Sequence, residues 1–300
     1  MYLLQTVTAV YLRLLGHEIS NGGFVLDVNE TPDPEEFEDA YMRYANARVC
    51  PPRPAEKTYR VRGTKEPFYT LNVIDGIMSV SAVQKVAKQY QASITEYLNA
   101  VLLYSLLQKQ EHDFHLRLRP VRIAMPVNLR RFFPSKTLRN FITMVYPSID
   151  PRLGDYTFEE IVTQVHHYMR YYINSKFLRG DITTNASTQR NPLIRIVPLF
   201  LKDFVVRQFY QRVQDKNSSA GLTNMGAIRV PDDMKPYLER FDIYMGIPYS
   251  QRTNCAIVSF EDTLTVNFAS CIIEADVERR FFQKLVEDGI PVTIESNREL

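Results

Sequence analysis

Three hundred residues, 45% apolar and 12% aromatic with a net charge of +2, are enough to bury a real core but lack the basic excess of a dedicated nucleic-acid binder. No apolar run reaches the roughly 20 residues of a membrane span; the longest, 97–107, is about half of that. Cys50, Cys255 and Cys271 are widely spaced, odd in number and free of zinc spacing, which fits a reducing cytoplasm.

Residues 1–15 place Leu4, Val7, Val10, Tyr11 and Leu14 on one helical face, and Gly16 is a natural stop. The stretch has no basic leader and no small-residue cleavage pattern, so it reads as a helix of the fold and not a signal peptide. It is apolar from its first residue, with no cap before it. Residues 34–47 read as an acidic-started helix. Cys50-Pro51-Pro52-Arg53-Pro54 is a stiff extended crossover, which divides the chain into 1–56 and 57–300. One strand is expected within 58–77. Ser79 then caps a helix at 80–90, and Ser93-x-x-Glu96 forms a capping box before a strongly apolar helix at 95–109.

The stretch 116–146 opens as an alternating strand, with Val121, Ile123, Met125 and Val127 on one side and Arg122, Ala124 and Pro126 on the other. It breaks at Asn128-Leu129-Arg130-Arg131 and returns through Arg139-Asn140-Phe141 into a second apolar strand. Between Phe114 and Ile149 there are seven Lys or Arg and no Asp or Glu. These cations form a solvated face, or else hold an anion or a carboxylate from elsewhere in the fold.

Thr157-x-x-Glu160 caps a long helix at 158–177, followed by a polar loop at 180–192 and an aromatic-rich helix near 197–214. Residues 216–221 read as a flexible loop. Strands are expected at 225–230, 241–245, 256–260 and 264–269, the last two as a hairpin about Glu261-Asp262 with Leu264, Val266 and Phe268 on one face. A helix at 277–288 ends at Gly289, and a short strand at 292–294 closes the chain. Helices and strands mix without strict βαβ alternation, the pattern of an α/β sandwich.

The chain has no GxGxxG, no P-loop and no GxSxG elbow. Cys255 falls inside a predicted strand and reads as a buried structural thiol. His17 follows a helix C-terminus, where a cation is favoured. His112 and His115 flank Asp113 without the further ligands a metal needs. His166-His167 sits mid-helix and reads as a surface pair.

Several of these segments resemble the chloramphenicol-acetyltransferase-like superfamily, which includes alcohol acetyltransferases and the condensation domains of peptide synthetases. MPVNLR followed by RNF is similar to its "pVnlR" and "GNF" strands, with Arg139 in place of the usual Gly. Residues 1–16, MYLLQTVTAVYLRLLG, look like the amphipathic helix that follows the family's HHxxxD motif. Residues 79–108 look like its helix pair, Leu222-Thr223-Asn224-Met225-Gly226 resembles its "SNlG" strand entry with Thr for Ser, and 254–270 fits its late hairpin. The order and spacing cover the whole chain but only the family's C-terminal two-thirds, and the nearest likeness is to bacterial alcohol-acetyltransferase-like proteins.

The resemblance implies a two-lobed α/β sandwich with the N-terminal lobe incomplete. It implies transfer of an acyl group, acetyl above all, from acyl-coenzyme A as co-substrate or from an acyl carrier protein to a small alcohol or amine. No bound cofactor and no metal are implied. The family's second motif His is the general base, and its Asp pairs an Arg; here His166-His167 has Tyr171 at the Asp position. HHxxxD is therefore expected ahead of Met1, and the chain alone is expected to be inactive. Arg130 matches the Arg that pairs the motif Asp. Asn128, Thr223 and Asn224 match positions lining the tunnel, where a hydroxyl or amide donates to the tetrahedral oxyanion. A non-catalytic scaffold of the same fold is the alternative, and an anion-binding protein using the 117–139 cations is a third.

Overall fold

A computed structural model describes residues 2–48, 56–113, 117–190, 198, 203, 217–248 and 251–298, with the side chains of 188–190 left aside. The crossover at 50–54, His115 and nearly all of the helix expected near 197–214 lie outside the described residues.

Eight strands form one mixed sheet in the order β3-β2-β5-β6-β7-β1-β8, with β4 pairing β2. They are β1 Asn72–Ser79, β2 Val121–Asn128, β3 Ile142–Val145, β4 Ser148–Ile149, β5 Ala220–Ala227, β6 Thr253–Phe260, β7 Thr263–Ser270 and β8 Thr293–Ser296. β2 runs parallel to β5 and β5 to β6, whereas the other pairs are antiparallel. The helices are α1 Tyr2–Leu14, α2 Ala40–Tyr44, α3 Val80–Gln89, α4 Ile94–His112, α5 Phe158–Tyr172, α6 Ser175–Arg190 and α7 Asp276–Glu287.

Strand side chains alternate between two faces, and here the faces meet different partners. Val121, Ile123, Met125 and Val127 of β2, Cys255 and Ile257 of β6, and Leu264, Val266 and Phe268 of β7 join one core with α3, α4, α5 and α7. α4 is its centre, because the Ser93–Glu96 capping box starts a helix whose Tyr97, Leu98, Val101, Leu102 and Leu106 are all fully buried. The opposite face is closed by a smaller core, in which Ala9 and Leu12 of α1 meet Ile228, Val230, Met234, Phe241, Val258 and Phe260. Residues 238–248 cross that face held mainly by polar groups. Thr265 donates to Phe241 O, Asn267 donates to Asp75 and Asp242, Tyr244 donates to Asp75, and Asn254 donates to Gly246 O. The strand expected at 241–245 is therefore a strap without a ladder of its own.

Three other expectations shift. Residues 34–47 form a short 3-10 turn, Pro34–Phe37, and then α2, because Asp33 and Asp39 each cap a separate start. The polar loop expected at 180–192 is largely α6: Leu178, Ile182 and Ala186 recur every four residues and are buried, and Asn174 caps the new helix after α5 ends. β5 begins at Ala220 and not near 225, and its flexible-looking lead-in is paired through Ser219 N to Arg122 O at 2.7 Å. The hairpin about Glu261-Asp262, with Glu261 at φ +50°, and the stop of α7 at Gly289, φ +85°, stand where the sequence places them.

Candidate functional site

The parallel ladder between β2 and β5 is short. It joins Ile123 to Ala220 and Ala124 to Gly221, after which β2 continues with β3 and β5 with β6. The carboxyl ends of two parallel strands thus splay apart, the position where open α/β sheets place ligands. All four residues singled out from sequence stand at this opening, but they divide between two faces and a loop.

Asn128 ends β2, exposed, and its side chain accepts from Arg130 N at 3.1 Å. By the pleat it shares the sheet's free face with Ala124 and Pro126, and the β3 register adds Ile142 and Met144 to the same face. Thr223 of β5, with Met225 two residues on, also lies there. The result is an apolar shelf bearing one amide and one hydroxyl, bounded at Gly221 by Met245 of the 238–248 strap, whose Cε stands 3.3 Å from where a Cβ on Gly221 would lie.

Asn224 turns the other way. Its Nδ2 donates to Thr95 Oγ1 at 2.8 Å in the first turn of α4, and its Oδ1 accepts from Gly226 N at 2.8 Å. That second bond holds a bulge between 224 and 227, where Gly226 takes φ +74°. Arg131 reaches across the opening, its Nη2 standing 3.9 Å from where a Cβ on Gly226 would lie.

Arg130 is spent on backbone. Its Nε and Nη2 donate to Thr137 O at 3.1 and 2.7 Å, and Nη2 also donates to Arg139 O at 2.6 Å. The guanidinium thereby ties the returning loop to the end of β2. Burial pushes up the nearby Tyr41 hydroxyl, which donates to Ile142 O, and Lys136 holds the Asp33 carboxyl below the usual carboxylate range.

The cations of 117–139 do not form one patch. Arg122 is buried, donating to Asn217 O at 3.2 Å, while Arg130, Arg131 and Arg139 lie past the far end of β2, roughly 20 Å of strand away. A single phosphate cannot bridge Arg122 and Arg131.

Sequence reasoning missed Thr95 and Asn99. These lie one turn apart on the face of α4 that meets the opening. Asn99 is fully buried, its Nδ2 3.7 Å from Met125 Sδ and its Oδ1 without a partner among the described residues. Two polar residues at i and i+4 in the largely apolar first half of the helix were the available signal.

The described histidines lie on other elements. His17 stacks on Tyr237, His112 Nδ1 meets Gln108 O, and His166 Nδ1 lies 3.3 Å from Glu96 on the outer helix layer, edge-on to His167. Cys255 is fully buried in β6, and burial pushes its thiol well up, so it is no nucleophile. Among the described residues no group of three His, Cys, Asp or Glu could hold a metal, and no helix is long and apolar enough to cross a membrane. The opening thus presents apolar side chains with one amide and one hydroxyl, and among the described residues it carries no histidine or cysteine.

No protein-family model and no curated protein matches this sequence. Solved structures do. The chain is similar to the trichothecene 15-O-acetyltransferase of Fusarium sporotrichioides (TM-score 0.50, 14% identity, 92% of this chain and 54% of that one). It is also similar to polyketide synthase associated protein 5 of Mycobacterium tuberculosis (0.52, 13%, 95% and 68%) and to a nonribosomal peptide synthetase (0.52, 11%, 78% and 23%). These likenesses, at 11% to 14% identity, show a shared α/β fold and not a shared role. The chain spans 41% to 63% of the length of the first solved structures it matches.

Proposed function

We propose that this chain supplies one wall of an acyltransferase that moves an acyl group, acetyl above all, from coenzyme A or a carrier-protein thioester to a small alcohol or amine. The observation that carries the reading is the β2–β5 opening: an apolar shelf with Asn128 and Thr223 on it, in a condensation-type fold. The acyl chain lies on Pro126, Met144 and Met225, and the Thr223 hydroxyl or the Asn128 amide donates to the thioester oxygen as it becomes an oxyanion. A general base takes the proton of the acceptor as its oxygen or nitrogen attacks the thioester carbonyl. The tetrahedral intermediate then collapses, and the thiol leaves with a proton. The described residues place no histidine there, so the base comes from a second unit seated over the shelf. Its acyl donor, acyl-coenzyme A, is a co-substrate and not a resident cofactor, and the cysteine usage supports a cytoplasmic setting.

The expected result for residues 1–300 alone is no thiol release from acetyl-coenzyme A above background in the presence of small alcohols. Release that disappears in Arg130→Ala would overturn the reading that the base lies outside this chain. The second reading is a binding or scaffold protein of the same fold, favoured by the placement of every described histidine on elements other than β2 and β5. The intact mass of the protein from its native host decides between them. A mass well above 34.9 kDa with HHxxxD in the extra peptide supports the enzyme, and a mass of 34.9 kDa with a cooperative melt supports the scaffold.

A further inference from the structure

We propose that residues 238–248 are a pH-governed strap, held tightly to the sheet while Asp75 carries a proton and loosened as that proton leaves. The strap bounds one end of the shelf, where Met245 Cε stands 3.3 Å from the place a Cβ on Gly221 would take. Its movement therefore sets how far the shelf extends over the sheet, whatever the shelf holds.

Side chains, and not a ladder, dock the strap. Asn267 of β7 is fully buried and is the hub. Its Oδ1 accepts from Ile243 N at 3.3 Å, and its Nδ2 donates to Asp75 Oδ1 at 2.8 Å and to Asp242 Oδ1 at 3.0 Å. Asp75 of β1 is itself buried, and Tyr244 of the strap donates to its second oxygen at 2.8 Å. Thr265 adds a bond to Phe241 O, and Asn254 adds one to Gly246 O.

The charges at the hub do not balance. Two carboxylate oxygens bonded to one amide nitrogen lie within about 6 Å of each other, a spacing at which like charges oppose each other's ionisation. β8 brings a third carboxylate, Glu295, the register partner of Asp75. Among the described residues Arg240 of the strap is the cation that meets them, and it is bonded to the other two. Its Nε donates to Asp242 at 2.9 Å and its Nη1 to Glu295 at 3.1 Å. Asp75 is left with a neutral amide and a hydroxyl, so Asp75 is the group that takes the proton.

Burial holds the Asp75 carboxyl above the usual carboxylate value, with Asp242 reinforcing the shift and Asn267, Tyr244 and Arg240 opposing it. Asp242 arrives with the strap, and Tyr244 covers Asp75 from the same segment, so docking raises the Asp75 value and release lets it fall. The proton's contribution to docking is complete below the released value. It is lost as pH rises through the docked one.

The test uses the full 300-residue chain with Met245→Trp, a unique reporter because the chain has no Trp. Acrylamide quenching of that Trp is followed between about pH 4 and about pH 9. It is expected to rise with pH in a single-proton transition, the released-to-docked ratio changing by up to about tenfold per pH unit. Asp75→Asn in the same background should stay docked and lose the transition. Tyr244→Phe removes a donor to the ionised form and should move the transition to higher pH. Exchange of the Ile243 amide, corrected for its intrinsic rate, reads the same event without the reporter. Quenching and Ile243 protection that ignore pH, or a transition that persists in Asp75→Asn, overturns the proposal. So does loosening toward acid, or a transition that coincides with loss of far-UV circular dichroism.

Discussion

Arg130 shows how a functional expectation and a structural duty meet in one side chain. A fork of N–H donors gathers the Thr137 and Arg139 carbonyls, and no carboxylate is bonded to it among the described residues. Arg130→Ala is expected to lower stability by about 1–2 kcal/mol and to open the loop to trypsin at Lys136 and Arg139. Arg130→Lys should not restore protection, because a point charge cannot span both carbonyls. Denaturant midpoints with timed proteolysis check both. Glu278 makes a pH prediction. It is buried in the first turn of α7, accepts from Thr253 Oγ1 at 2.6 Å, and burial holds its carboxyl above the ordinary value, Arg298 opposing and Asp276 reinforcing the shift. The folded chain thus keeps a proton that the unfolded chain releases. This contribution to stability is complete below the unfolded value of about 4.3 and is lost as pH rises through the folded one. Glu278→Gln should therefore melt higher than the parent at neutral pH and no higher in acid, as a pH series of melts would show.

At the scale of elements, the sheet is held to its helices by close approach. Phe281 and Phe282 of α7 pack edge-on to Phe268 of β7, with centroids 5.1 and 5.6 Å away, and the Phe282 ring lies over Gly76 of β1, where a Cβ would overlap it. Gly76→Ala is expected to destabilise by about 1–3 kcal/mol through overpacking, read as a lower urea midpoint with an unchanged slope. α1 shows the reverse situation. It buries Gln5, Thr6, Ala9 and Leu12 and exposes Leu4, Val7, Tyr11 and Leu14 of the stripe that its periodicity marks as the packing face, Leu14 at 81%, with Leu3 exposed beside it at 76%. Leu3→Lys/Leu14→Lys should change stability by no more than about 0.5 kcal/mol while reducing dye binding to exposed apolar surface. A large loss of stability would mean that the stripe packs within the chain after all.

For the whole molecule, the α1 stripe and the open shelf of β2 and β3 are two apolar surfaces without partners among the described residues, and Asn128 and Thr223 lie on the shelf. A unit covering both would exclude water from the β2–β5 opening, raise the strength of every hydrogen bond there and bring the missing base. On the proposed reading, the inactivity expected of residues 1–300 follows from an opening that carries no histidine among the described residues.

Local signals decided much of this protein. The capping boxes at Ser93 and Thr157, the stop at Gly289, the alternation of β2 and the hairpin of β6 and β7 were legible because each is set by backbone hydrogen bonds and side-chain period within a few residues. The order of such segments also pointed to the α/β fold that the solved structures share. Other features depend on contacts between distant residues. Leu178, Ile182 and Ala186 make a helix of a polar stretch because a buried face awaits them, and 241–245 stays off the sheet because Asn267 and Asp75 bind it as a strap. The division of Asn128 and Thr223 from Asn224 and Arg130 was likewise invisible, since a strand's two faces are equivalent until other elements occupy them. Only the tertiary structure shows which face of the sheet is left open.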